Sequence, residues 1–133
     1  MTEKMQVYKC AVCGNIVEVL HAGAGELVCC GEAMELMHEK KEDKGSEYHV
    51  PVVEITDDKM FVKVGKAPHP SEEKHYIEFI EVFSTDNKYM KRKYLNPNEK
   101  PELELKPKYK EFSMRIYCNI HGLWSSKYSE ESK

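Results

Sequence analysis

Four cysteines near the start of the chain have the spacing of a metal site. Cys10 and Cys13 form a C-x2-C-G motif, in which two thiolates can hold one ion while Gly14 lets the backbone fold tightly beside the sulfurs. The adjacent pair Cys29 and Cys30 completes a set of four soft ligands that suits zinc or iron. Structural zinc and two disulfides are the alternatives. Because neighbouring cysteines are joined by so short a tether, they should distort a tetrahedron, and such distortion matters more to a redox iron than to zinc.

A second candidate site combines the fifth cysteine with histidines. Cys118 precedes a histidine by three residues at the end of a predicted strand, a spacing that can bring both side chains to one ion. Neutral imidazoles bind ferrous iron, zinc and copper. Of the six histidines, His21 and His38 are left over, and the four in predicted loops or strand ends are His49, His69, His75 and His121. A buried free thiol beside unrelated histidines is the alternative.

The elements that must position these side chains are short strands. We predict strands over residues 50–56, 60–64, 76–85 and 112–118, and hairpin turns at Asp57-Asp58 and Asp86-Asn87. Prolines at 97, 101 and 107 indicate a longer connection, and His69 between Pro68 and Pro70 indicates a stiff extended loop. About seven short strands with regular turn signals favour an antiparallel sandwich.

Two modules are expected. Residues 1–37 contain four cysteines and little apolar bulk, so this segment should consist of a few short strands around a metal. Residues 38–47 are charged and contain no apolar residue, which is typical of an exposed linker. We therefore predict a metal-stapled domain over 1–37 and a second domain over 38–133, with the polar tail from Lys127 having no assigned role.

Composition excludes some classes of protein. The 133-residue chain carries a formal net charge of −3 with mixed signs along its length, which argues against a nucleic-acid groove. It shows no signal peptide and no run long enough to cross a membrane, so a cytoplasmic protein is expected. Five cysteines are an odd number, and in a reducing cytosol their spacing indicates metal ligands more readily than disulfides.

Four segments resemble, in order, the iron-binding segments of the superoxide reductases. They are Glu47-Tyr48-His49-Val50-Pro51-Val52, Ala67-Pro68-His69-Pro70, Glu73-Lys74-His75-Tyr76-Ile77 and Cys118-Asn119-Ile120-His121-Gly122. The segment from Val7 to Gly31 is similar to the desulforedoxin module of the two-iron branch, the desulfoferrodoxins. The resemblance covers nearly the whole chain and is specific.

This resemblance implies a mainly β protein, a small desulforedoxin-like domain followed by an immunoglobulin-like antiparallel β-sandwich, with two iron ions. The first iron would be held by Cys10, Cys13, Cys29 and Cys30. The second would have His49, His69, His75 and His121 in a plane and Cys118 as the axial thiolate. Its sixth position would be open to superoxide in the reduced state, and Glu47 could occupy it after oxidation.

The implied activity is the one-electron reduction of superoxide to hydrogen peroxide without release of dioxygen. An external donor, usually rubredoxin, would return the electron, and a homodimer is the expected assembly. The chain departs from the family where Tyr48 replaces the usual lysine. A phenol carries no positive charge near neutral pH, so we expect a slower or less salt-sensitive encounter with superoxide unless Lys44 or Lys74 supplies the charge. A saturated electron-transfer or metal-storage protein and a dismutase are the alternatives.

Overall fold

The protein is described by a computed structural model that covers residues 1–42, 45–67, 69–106 and 110–130. Sequence-based expectations at Lys44, Pro68, Pro107 and the last three residues of the tail lie outside these described residues. The chain divides into two compact units, Met1–His38 and Glu39–Lys133. Within the described residues, no helix is long and apolar enough to cross a membrane.

The first unit consists of very short strands. A three-stranded antiparallel sheet has the order β2 (Ile16–Glu18), β1 (Val7–Lys9), β5 (Glu35–Leu36), and β3 (Val28–Cys29) pairs with β4 (Glu32–Ala33) in a hairpin. Its buried apolar residues within the described range are Val7, Cys10 and Val19. So small a core cannot hold the unit together by burial alone, which is the situation in which small domains rely on a metal.

The second unit is an antiparallel sandwich of two sheets. One sheet has the order β10 (Glu102–Leu105), β7 (Lys59–Val64), β6 (Pro51–Thr56). The other has the order β12 (Gly122–Ser129), β11 (Glu111–Cys118), β8 (Ile77–Phe83), β9 (Met90–Tyr94). The predicted mainly β fold, a desulforedoxin-like domain followed by a sandwich, is confirmed.

The core of the sandwich lies between its two sheets. Alternate residues of β7, such as Met60, Val62 and Val64, pack with Leu103 of β10 on one side. Alternate residues of β8, β11 and β12 face them from the other sheet, and these are Ile80, Val82, Phe112, Met114, Ile116, Cys118 and Trp124. Cys118 and Trp124 thus belong to the core and reach the candidate ligand histidines from the interior of the sandwich.

Three features of the second unit differ from the sequence-based expectation. Glu102–Leu105 is a strand inside what was expected to be an irregular connection, because its residues pair with β7. Ser46–His49 forms a single helical turn, α1, where the charged linker was expected to continue. Lys40 is also not a free linker residue, since it forms a parallel bridge with Trp124.

Candidate metal centres

The first centre is built on a tight turn and a hairpin. Cys10 follows β1, and its carbonyl accepts a hydrogen bond from the Gly14 N–H at 3.0 Å, which closes the turn that carries Cys13. Gly14 has φ of +84°, a backbone conformation that favours glycine. The C-x2-C-G spacing therefore works as expected, because the glycine turns the chain back beside both sulfurs.

The adjacent cysteines occupy the corner of the β3–β4 hairpin. Cys29 pairs with Glu32, which leaves Cys30 and Gly31 as a two-residue loop. Both loop residues have positive φ, 54° and 75° respectively. Tight hairpin loops of this kind usually place Asn or Gly at the first position. A cysteine at this position of the loop costs conformational energy, but it directs the sulfurs of Cys29 and Cys30 toward the same point.

The four sulfurs have the spacing of a single ion's ligands. Cys13 Sγ lies 3.6 Å from Cys29 Sγ, and Cys29 Sγ lies 4.0 Å from Cys30 Sγ. Metal–sulfur bonds of about 2.3 Å give a tetrahedron whose sulfur–sulfur edge is about 3.8 Å. The two distances lie on either side of this edge length, which agrees with a somewhat distorted four-sulfur site.

The thiols of the first centre cannot all ionise without a cation between them. A hydrogen bond from the Cys13 backbone N–H lowers the pKa of Cys10 to about 7, whereas hydrogen bonds shared with Cys13 and Cys29 raise the pKa of Cys30 to about 12. The Asn15 side-chain N–H donates to Cys29 Sγ at 3.7 Å. A bound metal ion removes this conflict, because it binds the thiolate forms and releases their protons.

The second centre gathers five side chains from four parts of the second unit, since two of them lie at the end of β11 and in the loop that follows it. One ligand atom from each lies within 4.8 Å of all the others, and the residues are His49, His69, His75, Cys118 and His121. Cys118 is fully buried, and His49 and His69 are almost so, whereas His121 is exposed. The cluster therefore has a buried sulfur on its inner side and a solvent-facing rim.

Local features of the strands aim these side chains. His49 is the last residue of α1, and Cys118 is the last residue of β11. The pairing of β11 with β8 shifts register between Tyr117 and Cys118, an irregularity that re-aims the strand end next to the site. His121 then sits in the loop between Cys118 and Gly122, which are paired across β11 and β12.

Backbone carbonyls orient two of the imidazoles. The Nδ1 of His49 lies 2.9 Å from the Gly45 carbonyl oxygen, and the Nδ1 of His69 lies 2.6 Å from the Pro70 carbonyl oxygen. Carbonyls can only accept, so each Nδ1 carries the proton and each Nε2 presents a lone pair. Those Nε2 atoms face the cluster, where His49 Nε2 lies 3.1 Å from His121 Nδ1 and His69 Nε2 lies 3.4 Å from Cys118 Sγ.

Burial favours the neutral form of two of the imidazoles, His49 and His69. It lowers the pKa of His69 to about 4 and also lowers the pKa of His49. Burial raises the pKa of the Cys118 thiol, while the backbone N–H of His121, 3.4 Å from the sulfur, acts in the opposite direction. A neutral imidazole binds a metal without losing a proton, whereas the Cys118 thiol must lose its proton to become a ligand.

Trp124 and Lys40 support the second centre from outside the ligand set. The indole Nε1–H of Trp124 donates to the His121 carbonyl at 3.1 Å, and the Lys40 ammonium donates to the same oxygen at 3.0 Å. Lys40 Nζ also lies 5.4 Å from the Trp124 ring centroid. Sequence reasoning missed both residues, because Lys40 lies in a charged run and Trp124 in an ordinary strand pattern.

Glu47 and Tyr48 lie beside the cluster but do not join it. Within the described residues, the ligand set contains neither of them, and both side chains are exposed on α1, immediately before His49. Gly65, with φ of +75°, packs against their backbone, where a Cβ would lie 2.5 Å from the Tyr48 carbonyl carbon. The Ala67 N–H donates to the Glu47 carbonyl at 3.0 Å. This segment is therefore held in place by its backbone, with the two side chains directed to solvent.

The donor sets fit metal ions. His75 Nε2 is buried and has no hydrogen-bond partner among the described residues, although a buried ring nitrogen ordinarily has one. A cation at the cluster would satisfy this atom together with the lone pairs that converge on it. Four thiolates suit iron or zinc, and imidazoles with one thiolate suit a borderline metal such as ferrous iron.

Comparison with known proteins divides the chain into two parts, each of which contains one of the two donor sets. Residues 2–37 match the family described as desulfoferrodoxin, N-terminal domain, and residues 38–127 match the family described as desulfoferrodoxin. A desulfoferrodoxin homolog from Archaeoglobus fulgidus is 57% identical over 126 residues, covering 95% of this chain and 99% of the relative.

Solved structures of superoxide reductases share the fold. The structure from Treponema pallidum matches with a TM-score of 0.70 at 22% identity, covering 95% of this chain and 99% of that one. The structure from Giardia intestinalis matches with a TM-score of 0.51 at 26% identity, covering 62% and 98%. The four-cysteine set and the four-histidine, one-cysteine set match the two iron centres of desulfoferrodoxins.

Proposed function

The chain belongs to the desulfoferrodoxin family, and from that premise we propose that it is a superoxide reductase acting at the second centre. The metal ligands there are His49, His69, His75, His121 and Cys118. The first iron is held by Cys10, Cys13, Cys29 and Cys30. The reaction consumes superoxide, one electron and two protons, and yields hydrogen peroxide without dioxygen.

The observation that carries the proposal is the convergence of four imidazoles and one thiol at an exposed edge of the sandwich. Ferrous iron held there would supply the electron and a positive charge that binds the superoxide anion. The neutral imidazoles leave that charge uncompensated except by the Cys118 thiolate. Attraction of a small anion therefore depends on local charge and not on the formal net charge of −3.

The chain's own residues prepare the site in three ways. The Gly45 and Pro70 carbonyls fix the tautomers of His49 and His69, so that their lone pairs face inward. Burial of Cys118 beneath the rim keeps water from the sulfur, and as a thiolate ligand Cys118 would donate electron density to the metal. The exposed side chains of Glu47 and Tyr48 stand on the segment that ends in His49, where Glu47 would be a further carboxylate ligand for an oxidised metal and Tyr48 would be a hydrogen-bond donor.

The partner proposals concern the electron donor and the assembly. Rubredoxin is the proposed donor, with the four-cysteine iron able to relay or store electrons. A homodimer is proposed because the first unit has little core and leaves apolar side chains exposed, including Val12 (58% exposed), Leu20 (76%) and Val28 (59%). None of the five cysteines is paired in a disulfide, which supports the proposal of a reducing, cytoplasmic location.

Iron analysis joined to superoxide consumption tests the proposed function. Protein produced with ample iron should hold iron in both centres and, once reduced, should consume superoxide. Iron at the second centre without consumption of superoxide would favour an electron-transfer or storage protein. Zinc, or no metal, at the second centre would remove the proposed activity.

A further inference from the structure

His75 is held differently from the two buried ligand histidines. The rings of His49 and His69 are each fixed by a backbone carbonyl at Nδ1. Among the described residues, the buried Nε2 of His75 has no hydrogen-bond partner, and one of its ring nitrogens lies within 4.8 Å of a ligand atom of every other residue in the set. The position of this imidazole therefore depends on how firmly its backbone is held.

The backbone of His75 is fixed within its own loop first. The Glu72 N–H donates to the His75 carbonyl at 2.9 Å, and the His75 N–H donates to the Glu72 carbonyl at 3.1 Å. This reciprocal pair closes a tight loop, but it does not itself reach the strand end that carries Cys118. Ile77, two residues after His75, is paired with Cys118, and any further connection there helps to set the distance between His75 and the sulfur.

The side chain of Asn119 makes that connection. Its Oδ1 accepts a hydrogen bond from the Tyr76 N–H at 3.0 Å, and its Nδ2 donates to the Lys74 carbonyl at 3.0 Å. The Asn119 backbone N–H also donates to the Tyr76 carbonyl at 3.2 Å. An amide side chain carries one acceptor and two donors, so it can act as an added peptide group. Here it extends the β8–β11 ladder past Cys118 and forms hydrogen bonds with both of the peptide groups that flank His75.

We propose that Asn119 is a positioning residue for His75, and that its side-chain amide joins the ligand loop of His75 to the ligand loop of Cys118 and His121. The inference rests on the proposed function, because it concerns the geometry of that same second centre. Groups that hydrogen-bond to metal ligands typically contribute 10–100-fold to metal affinity. For His75 these hydrogen bonds are made to the backbone and not to the ring.

The test compares iron retention in full-length variants produced with ample iron. Reduced protein is mixed with a ferrous chelator, samples are freed of chelator and oxidised at intervals, and the iron left in each centre is measured from the absorption of its ferric form. Asn119→Ala should release iron from the second centre about 10–100-fold faster than wild type and should shift the absorption band that arises from the Cys118 thiolate. The four-cysteine centre serves as an internal reference and should be unchanged.

Two further variants separate positioning from a general effect on folding. Asn96→Ala is the matched control, because this exposed asparagine lies outside both ligand loops and its side chain makes no hydrogen bond within the described residues, and it should behave as wild type. Asn119→Asp keeps an acceptor for the Tyr76 N–H but loses the donor to the Lys74 carbonyl, so its iron release should be intermediate. Thermal unfolding of the metal-free proteins, followed by circular dichroism, should differ little among all of them.

The possible outcomes are distinct. Release from Asn119→Ala at the wild-type rate would overturn the positioning role while leaving the proposed function intact. Loss of iron accompanied by equal loss of the metal-free fold in both Asn119 variants would also overturn it, since Asn119 would then serve the fold as a whole. Wild-type protein that holds no iron at the second centre would overturn both proposals.

Discussion

The imidazole of His49 is stacked on the indole of Trp124, with ring centroids 4.7 Å apart and planes 14° apart. The same indole donates its N–H to the carbonyl of His121. One core side chain thus supports two ligand histidines, one through its ring face and the other through its polar edge. The rim of the second centre is therefore coupled to the packed interior of the sandwich, which is rigid on the time average.

Trp124→Phe should separate these two contributions. Phenylalanine keeps a ring beneath His49 but loses the hydrogen bond to His121, so the free energy of unfolding should fall by about 1 kcal/mol. Trp124→Leu also removes the aromatic contact, with a further loss of about 0.5–1.5 kcal/mol. Denaturant unfolding of the metal-free proteins measures both. Equal losses for the two variants would argue against a specific contribution from the stacked rings.

Cys118→Ser should abolish superoxide reduction and leave the absorption of the amino-terminal iron intact. Serine is nearly the same size, but its hydroxyl is a hard and weakly acidic ligand that cannot replace a thiolate's electron donation. The variant should be assayed for superoxide consumption and for iron at each centre. Retained activity would show that the thiolate is not the electronic determinant of the reaction.

Cys13→Ser should affect the first centre alone. All five proposed ligands of the second centre lie between His49 and His121, and the four-cysteine set lies wholly in the first unit. Absorption from the four-cysteine iron should be lost or strongly altered, whereas the second centre should keep its iron and its reaction with superoxide. Loss of both metals in this variant would contradict independent assembly of the two centres.

Lys40 should contribute to the encounter with superoxide. Its ammonium donates to the carbonyl of the ligand His121, and its charge acts on both His49 and Cys118. A unit charge roughly 10 Å from an anion contributes about 0.4 kcal/mol in water, or about twofold in rate. Lys40→Met should therefore slow the second-order reaction by about this factor at low salt and less at high salt. Lys59→Met, a charge change on an exposed residue of β7, is the control and should have a smaller effect.

Replacement of Tyr48 by lysine tests the same electrostatic argument in the opposite direction. Tyr48 is 43% exposed beside His49, so an added ammonium there should raise the rate at low salt and make it more salt-sensitive. An unchanged rate in Tyr48→Lys, together with an unchanged rate in Lys40→Met, would show that local cations do not limit the encounter.

The metal ligands could be predicted from sequence because their chemistry is tied to spacing. Cys10 and Cys13 are near neighbours in the chain, and Cys118 and His121 share one loop, so local geometry brings each pair together. Whether His49, His69 and His75 lie in the same site as Cys118 depends on which strands pair. Only the resemblance to a known family predicted that they share one site. The sandwich itself followed from short strands and regular turns.

The supporting residues could not be predicted, because their roles depend on long-range contacts. Asn119 looks like a turn residue until its amide is seen to meet Lys74 and Tyr76, 45 and 43 positions earlier in the chain. Lys40 looks like part of a solvated charge run until its backbone pairs with β12. The hairpin corner at Cys30 likewise has no sequence signal, since cysteine is unusual at a positive φ.

The yields of peroxide and dioxygen from superoxide, measured with excess reductant present, test the central claim most directly. Reduction at the four-histidine, one-cysteine centre should convert each superoxide to one hydrogen peroxide with no enzymatic dioxygen, and Cys118→Ser should lose this conversion. Return of half of the superoxide as dioxygen would identify a dismutase and contradict the account.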